Sequence, residues 1–317
     1  MSIKTEITSL QFRELETGFT KWLKTLNYSE ETIKTRKRNI REFLLYLERC
    51  DITGIEAMNE EKVKQFANHL KHRENRRYGS GLMNASINVA IGSVNKFFEY
   101  LQQTENPAPD NLQYLERRYK SRNILTMKEI SQLYETTYQT HHFANDHTKA
   151  KQEAVSQRDR AMLSIYYGCG LRKSEGVNLN TGDILIERKL IHVRKGKGNK
   201  ERYVPVTDNN LKYITEYLDV WRNLLVSGSE SSSFFINQYG EACSAQALSQ
   251  RLRRLVKNSG NSVLRAKNPT LHTLRHSIAT HLLQQGMEME LIQKFLGHGS
   301  LQSTQIYTHI VNETIRP

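Results

Sequence analysis

Apolar residues recur along most of this chain at the three- and four-residue steps of an amphipathic helix. Phe12, Leu15, Phe19, Trp22, Leu23 and Leu26 form the first such run, and Ile33, Ile40, Phe43, Leu44 and Leu47 the second. Ser29 stands where a cap for the second helix is needed, with Glu30 and Glu31 in the first turn. Asn59 introduces a third run with Val63, Phe66 and Leu70. After a Gly-Ser-Gly break at 79–81, a fourth runs from about Leu82 to Gln103, with Ile87, Ile91, Val94, Phe97, Phe98 and Leu101 inward. The pattern predicts a four-helix unit over residues 1–105. Pro107 and Pro109 then bar a helix, and Arg117, Arg118, Lys120 and Arg122 make the rest of 106–122 a basic strap.

The second part, 123–317, mixes periods. Thr126 and Glu129 predict a capping box for a helix bearing Ile130 and Leu133. The polar stretch 138–156 reads as a loop, with Ser156 capping a helix that ends at Gly168. Short apolar runs at 184–186, 190–193 and 202–206 read as three strands. A scaffold helix is expected over about 209–225 (Leu211, Ile214, Leu218, Trp221), a short buried strand at 234–236, and a helix over 244–258 (Leu248, Leu252, Leu255). Leu274, Ile278 and Leu282 mark one buried helix face, with His272 and Arg275 together off that face and Gly286 as the stop. Met289, Ile292 and Phe295 lead to Gly297 and a turn presenting His298; Tyr307 follows on another short helix. The fold class is mainly α with a small antiparallel β-sheet, in two domains.

At 317 residues, two domains are the natural expectation. A net charge of +13 points to a polyanionic partner, nucleic acid foremost. One face of the second helix carries Lys34, Lys37, Arg38 and Arg41 without base-reading amides, the composition of a surface that grips phosphates. Arg251 and Arg254 on 244–258 read equally well as a groove-facing or a solvated face. Cys50, Cys169 and Cys243 are odd in number and scattered, which predicts no disulfide framework and a reducing, cytoplasmic setting. No run of eighteen apolar residues predicts a membrane span, and the N-terminus lacks a signal-peptide core. His141, His142 and His147 have no carboxylate pattern around them, so no metal and no cofactor are expected.

The candidate chemistry lies in four motifs. H-T-L-R-H holds His272 and Arg275, L-G-H holds His298, and I-Y-T-H holds Tyr307. Upstream, G-C-G-L-R-K-S-E holds Arg172 and Glu175. Arginine and histidine donors suit a phosphate diester, and a phenol whose proton is removed can attack phosphorus. The turn R-K-G-K-G-N-K-E is no P-loop; it is a basic hairpin tip, with Lys195, Lys197, Lys200 and Arg202, narrow enough to enter a DNA groove.

In this order and spacing the motifs resemble the tyrosine recombinase (phage integrase) family. The resemblance is close over about 123–317 and looser before it. It implies that Tyr307 attacks the scissile phosphate and that Arg172, Arg275, His272 and His298 hold the charge developing on its oxygens. It makes His272 the candidate acceptor of the tyrosine proton. Lys197 takes the place of the family's hairpin lysine, which protonates the departing 5′-hydroxyl, with Lys195 and Lys200 as alternatives. Such a site needs neither metal nor ATP. The implied partners are double-stranded DNA with paired half-sites, a dimer on each site, a homo-tetramer on synapsed DNA, and accessory DNA-bending proteins. Strand exchange would pass through a Holliday junction, for integration, excision, inversion or resolution. Lys34, Lys37, Arg38, Arg41, Lys195, Lys200, Arg202, Arg251 and Arg254 are the candidate DNA contacts. Ile310, Val311 and Ile315 would form a short version of the family's subunit-docking tail. The competing readings are a type IB topoisomerase, with the same chemistry and no synapsis, and a non-catalytic DNA-binding protein.

Overall fold

The computed structural model describes residues 6–72, 82–116, 123–138, 146–194, 201–225 and 231–297. It divides into two compact units, Met1–Lys120 and Ser121–Pro317, each with its own apolar core.

The first unit consists of α1 (Leu10–Thr25), α2 (Glu30–Arg49), α3 (Glu60–His72) and α4 (Asn84–Gln103). The expected caps are in place: Ser29 Oγ accepts from the Thr32 N–H, and Asn59 Oδ1 from the Lys62 N–H. Aromatic rings pack within a mainly aliphatic core, and Phe19 meets Phe97, and Phe43 meets Phe66, edge to face at 5.4 and 5.0 Å. Part of the expected strap belongs to this unit. Leu112 is buried in its core, and Leu115 packs on it. Two asparagines of α4 grip the extended backbone there, Asn95 bonding Leu112 and Asn88 bonding Leu115 at both N–H and carbonyl. Arg117, Arg118, Lys120 and Arg122 lie outside the described residues.

The second unit begins with α5 (Met127–Thr136), whose capping box is formed by Thr126 and Glu129 as the sequence predicts. α6 (Asp146–Leu163) then runs into a π-turn, Ser164–Gly168, and α7 (Lys173–Val177) follows. β1 (Ile184–Leu185), β2 (Leu190–Val193) and β3 (Arg202–Pro205) form an antiparallel sheet in chain order, with Ile191 opposite both Ile184 and Val204. α8 (Asp208–Glu216) continues through a second π-turn, Tyr217–Trp221, into α9 (Arg222–Leu225). α10 (Ala245–Asn258), α11 (Ser262–Lys267), α12 (Leu271–Gln284) and α13 (Met289–Leu296) close the described part. Among the described residues no helix is long and apolar enough to cross a membrane. No group of three or more metal-ligating side chains comes together among them either.

Three local expectations are corrected. Ser156 caps nothing, because it lies inside α6, and the stretch from 146 that reads as loop is helix. Residues 146–155 are mostly polar, so hydropathy hides the first half of that helix, and the buried face of the second half is charged. Arg158 donates to the Ile236 carbonyl, Asp159 pairs with Arg251, and Arg160 donates to Thr137 and lies 3.6 Å from the Tyr138 ring centroid. Residues 234–236 are buried as expected, but in place of a strand there is one isolated bridge from Ile236 to Ala242, with a second just before the segment from Ser233 to Asn180. The short helix α11, capped by Asn261, has no apolar period long enough to predict it.

Candidate active site

The site is built where three segments distant in sequence meet: the turn into α7, strand β3, and the facing ends of α12 and α13. The turn depends on Gly170, whose φ is +60° and where a Cβ would stand 2.9 Å from Leu296 Cδ2. Only a residue without a side chain passes there, and the next two residues carry Arg172 to the N-cap of α7. The chain leaves α13 through Gly297, also left-handed at φ +64°, which exposes the last carbonyls of that helix.

Those carbonyls hold the two arginines. Arg275 donates to the Leu296 carbonyl at 2.7 Å and to the Gly170 carbonyl at 2.5 Å. Arg172 donates to the Gly297 carbonyl at 2.7 Å. Arg172 and Arg275, 103 positions apart in the chain, are thus anchored on successive carbonyls of one helix terminus. The helix C-terminus is the negative end of its dipole, so it favours both cations.

Glu175 ties the group together. One of its oxygens accepts from Arg172 Nη1 at 2.7 Å and from Arg202 Nη1 at 2.9 Å; the other accepts from the Arg172 N–H and from Arg202 Nη2, each at 2.8 Å. Arg275 Nη1 lies 3.9 Å from the second oxygen. Burial, the largest influence on this carboxyl, raises its pKa. The guanidinium groups of Arg202 and Arg172, with the Arg172 N–H, outweigh that and hold it at about 2.

Arg275 is 1% exposed, which corrects the expectation that it lies off the buried face. It falls between Leu271, Leu274 and Ile278 on the inner side of α12, and its charge is carried by carbonyls there in place of water. His272, one turn earlier, is exposed, and its ring meets that of His276 at 4.4 Å. Arg202 needs a second correction. It was expected on the DNA-facing surface, and it is instead a wall of the site, with a side chain only 14% exposed and both terminal nitrogens on Glu175. The strand alternation carried this signal: Val204, two residues on and so on the same face, is fully buried.

The other cations divide similarly. Lys34, Lys37, Arg38 and Arg254 are exposed and open to a polyanion. Arg41 is bound by both nitrogens to Glu16 and remains half-exposed. Arg251 is no free surface cation, because Asp159 takes its Nε and Nη2. Lys195, Lys197, Lys200, His298 and Tyr307, with the tail residues Ile310, Val311 and Ile315, lie outside the described residues. At the base of the hairpin that carries the lysines, His192 stacks on Tyr203 at 4.7 Å and bonds Glu201, while Arg194 bonds Asp183.

Comparison with known proteins gives consistent matches. The phage integrase family model matches residues 121–313, more than half of the chain, and the phage integrase N-terminal SAM-like domain matches 17–105. A tyrosine recombinase XerD of Oceanobacillus iheyensis is 30% identical over 91% of this chain and 90% of its own. One from Staphylococcus epidermidis is 29% identical over 97% and 94% respectively. Among solved structures, a XerH site-specific recombinase bound to its palindromic difH substrate superposes with a TM-score of 0.69 at 23% identity, covering 96% of this chain and 82% of that one. At that identity the likeness is one of fold.

Proposed function

The chain belongs to the phage integrase family and is a tyrosine site-specific recombinase, and we propose that it breaks and rejoins DNA at the site centred on Arg172 and Arg275. One observation carries the assignment of the site. Arg172 and Arg275 are anchored on the Gly297 and Leu296 carbonyls, the motif residue His298 follows directly in sequence, and Tyr307 comes nine residues later.

In the proposed reaction the two guanidinium groups hold the non-bridging oxygens of the scissile phosphate. Charge grows on those oxygens as Tyr307 attacks, and fixed donors stabilise it without reorganising. His272, exposed at the first turn of α12, accepts the phenolic proton, and His298 adds a donor. Lys197 protonates the 5′-oxygen as it leaves. The 3′-phosphotyrosine keeps the energy of the ester, so a 5′-hydroxyl from a partner duplex can attack it without ATP. A Holliday junction results from the first exchange. The exposed Lys34, Lys37, Arg38 and Arg254 hold the duplex by its phosphates. Paired half-sites, a dimer on each and a tetramer at synapsis fit this scheme, as do DNA-bending helpers. The unit Met1–Lys120 is the DNA-clamping domain and Ser121–Pro317 the catalytic domain, the expected strap at 106–122 being partly absorbed into the first. Buried Cys169 and Cys243, both free thiols, favour a reducing, cytoplasmic setting.

A duplex nicked beside the cleavage point traps the covalent intermediate, because the short 5′-fragment diffuses away. The wild-type chain gives a protein–DNA adduct and Tyr307→Phe gives none. An adduct that survives in Tyr307→Phe overturns the assignment. Recombinant product from two sites, as against relaxed supercoils alone, separates recombination from topoisomerase action.

A further inference from the structure

Arg202 has no assigned part in the chemistry, yet it forms a wall of the site against Glu175. Its planar fork spans both oxygens of Glu175, at 2.9 and 2.8 Å. Its Nε–H is buried and takes no partner among the described residues. Gly297 leaves room for its stem: a Cβ there would fall 2.6 Å from Arg202 Nε. A buried ion pair is seldom the most stabilising choice, since apolar residues of similar size often do as well or better. An arginine kept here with an unpaired N–H is therefore not explained by stability.

We propose that Arg202 is a positioning residue for strand cleavage: by holding both oxygens of Glu175 it fixes the carboxylate, and the carboxylate then holds Arg172 aimed at the scissile phosphate. This rests on the function proposed above. A carboxylate with one guanidinium partner pairs with it through both oxygens. Without Arg202, Glu175 turns onto Arg172 in that way and draws the guanidinium off the phosphate. With Arg202 in place, each oxygen of Glu175 is already shared, and Arg172 meets the carboxylate side chain to side chain through Nη1 alone. Its Nη2 is then set by the Gly297 carbonyl. Arg202 also lies on the strand that follows the lysine hairpin, which places sheet and arginine pair in one rigid connection. A lysine cannot reproduce this arrangement, because its ammonium is a point charge without the fork.

The experiment uses the full chain and the nicked duplex, with either an ordinary phosphate or a methylphosphonate at the scissile position. The methylphosphonate lacks the charged oxygen that the arginines serve. Arg202→Ala is expected to slow single-turnover adduct formation about 100-fold on phosphate, with DNA affinity within about threefold of wild type. On methylphosphonate, its deficit relative to wild type should shrink to less than about tenfold, because a neutral centre needs the arginine pair less. Arg202→Lys, which keeps charge and stem, should show a smaller deficit with the same relief, and it serves as the test if the alanine variant melts below the assay temperature. An equal deficit on both substrates, or none on phosphate, overturns the proposal. A wild-type chain that forms no adduct with either substrate refutes the proposed function instead.

Discussion

Gly286 and Gly297 end successive helices in left-handed backbone, at φ +85° and +64°, and the structure predicts opposite consequences for replacing them. At Gly286 a Cβ meets nothing within 4 Å. Gly286→Ala therefore carries only the left-handed strain of an L-residue, about 1–2 kcal/mol. At Gly297 the same atom stands 2.6 Å from Arg202 Nε, 2.7 Å from Cδ and 2.9 Å from Cζ. Ordinary contact is about 3.5 Å, so something must yield by most of an ångström. A surface arginine would swing aside, but this one is held by both oxygens of Glu175. The alternative is a shift of the Gly297 backbone, whose carbonyl holds Arg172. Overpacking adds about 1–3 kcal/mol to the backbone strain, for a total loss of roughly 2–5 kcal/mol. A displacement of about 1 Å at a catalytic group slows reaction about 100-fold. Urea unfolding of the full chain and single-turnover adduct formation, well below the unfolding midpoint, measure the two effects separately. Gly286→Ala should be destabilised yet cleave at the wild-type rate, and Gly297→Ala should lose both. Equal cleavage by the two variants would refute the claim that the α13 terminus sets the arginines.

Three further outcomes follow from particular contacts. Asp159→Ala leaves Arg251 without its carboxylate, and Arg158 without one 3.7 Å away, so it should cost about 3–5 kcal/mol in chemical unfolding; a loss under about 1 kcal/mol refutes the pairing. Replacing exposed Lys34, Lys37 and Arg38 together by Ala should weaken DNA binding whatever the sequence and lower the salt slope by about 2.7, whereas an unchanged slope returns that face to solvent. His281 is buried, with its Nδ1 2.9 Å from the Tyr167 hydroxyl, and burial lowers its pKa against a smaller opposing effect of a backbone hydrogen bond at Leu125. The unfolded chain then takes up a proton that the folded one refuses, so stability present above about pH 6.5 falls as the pH drops below it, by up to about 1.4 kcal/mol per pH unit. The melting temperature should fall more between pH 7.5 and 5.5 in wild type than in His281→Gln, and parallel curves would exclude His281 as the source.

The helices of the first unit are legible because each buries an apolar stripe, and α2 and α3 begin at side-chain caps, Ser29 and Asn59. The strands were legible for a related reason, since Ile184, Ile191 and Val204 are apolar at positions that pair. Legibility failed at several buried charges. The first half of α6 looks like loop because D-H-T-K-A-K-Q-E offers no apolar stripe, and the charged run Arg158–Asp159–Arg160 that follows is buried on partners far along the chain, Ile236, Arg251 and Thr137. A stripe of Leu274, Ile278 and Leu282 alone turns Arg275 outward; adding Leu271, as buried as Arg275 itself, turns the face enough to include it. The charge of Arg202 suggests a surface position, whereas its place on the strand, in phase with buried Val204, points inward. Motif spacing could name Arg172 and Arg275, but no spacing shows that backbone carbonyls of α13 are their anchors.

A carboxylate amid an anion-binding site looks counterproductive, since Glu175 reduces three guanidinium charges to a net two. The opposing consideration is what those groups would do without it. Three like charges in one pocket repel, and long side chains with nothing to hold them scatter into water. Glu175 removes both problems before DNA arrives. Its carboxyl sits at about 2 against an ordinary 4.5. That gap corresponds to stabilisation on the order of 3 kcal/mol, fully present above about pH 4.5 and lost as the pH falls towards about 2. At neutral pH the arginines are therefore ordered by the fold, and DNA binding energy is not consumed in ordering them. In the reaction proposed above, what is given up in attraction for the ground-state phosphate is recovered where it matters for rate: donors already in place would face the charge that builds on the phosphate oxygens only during attack.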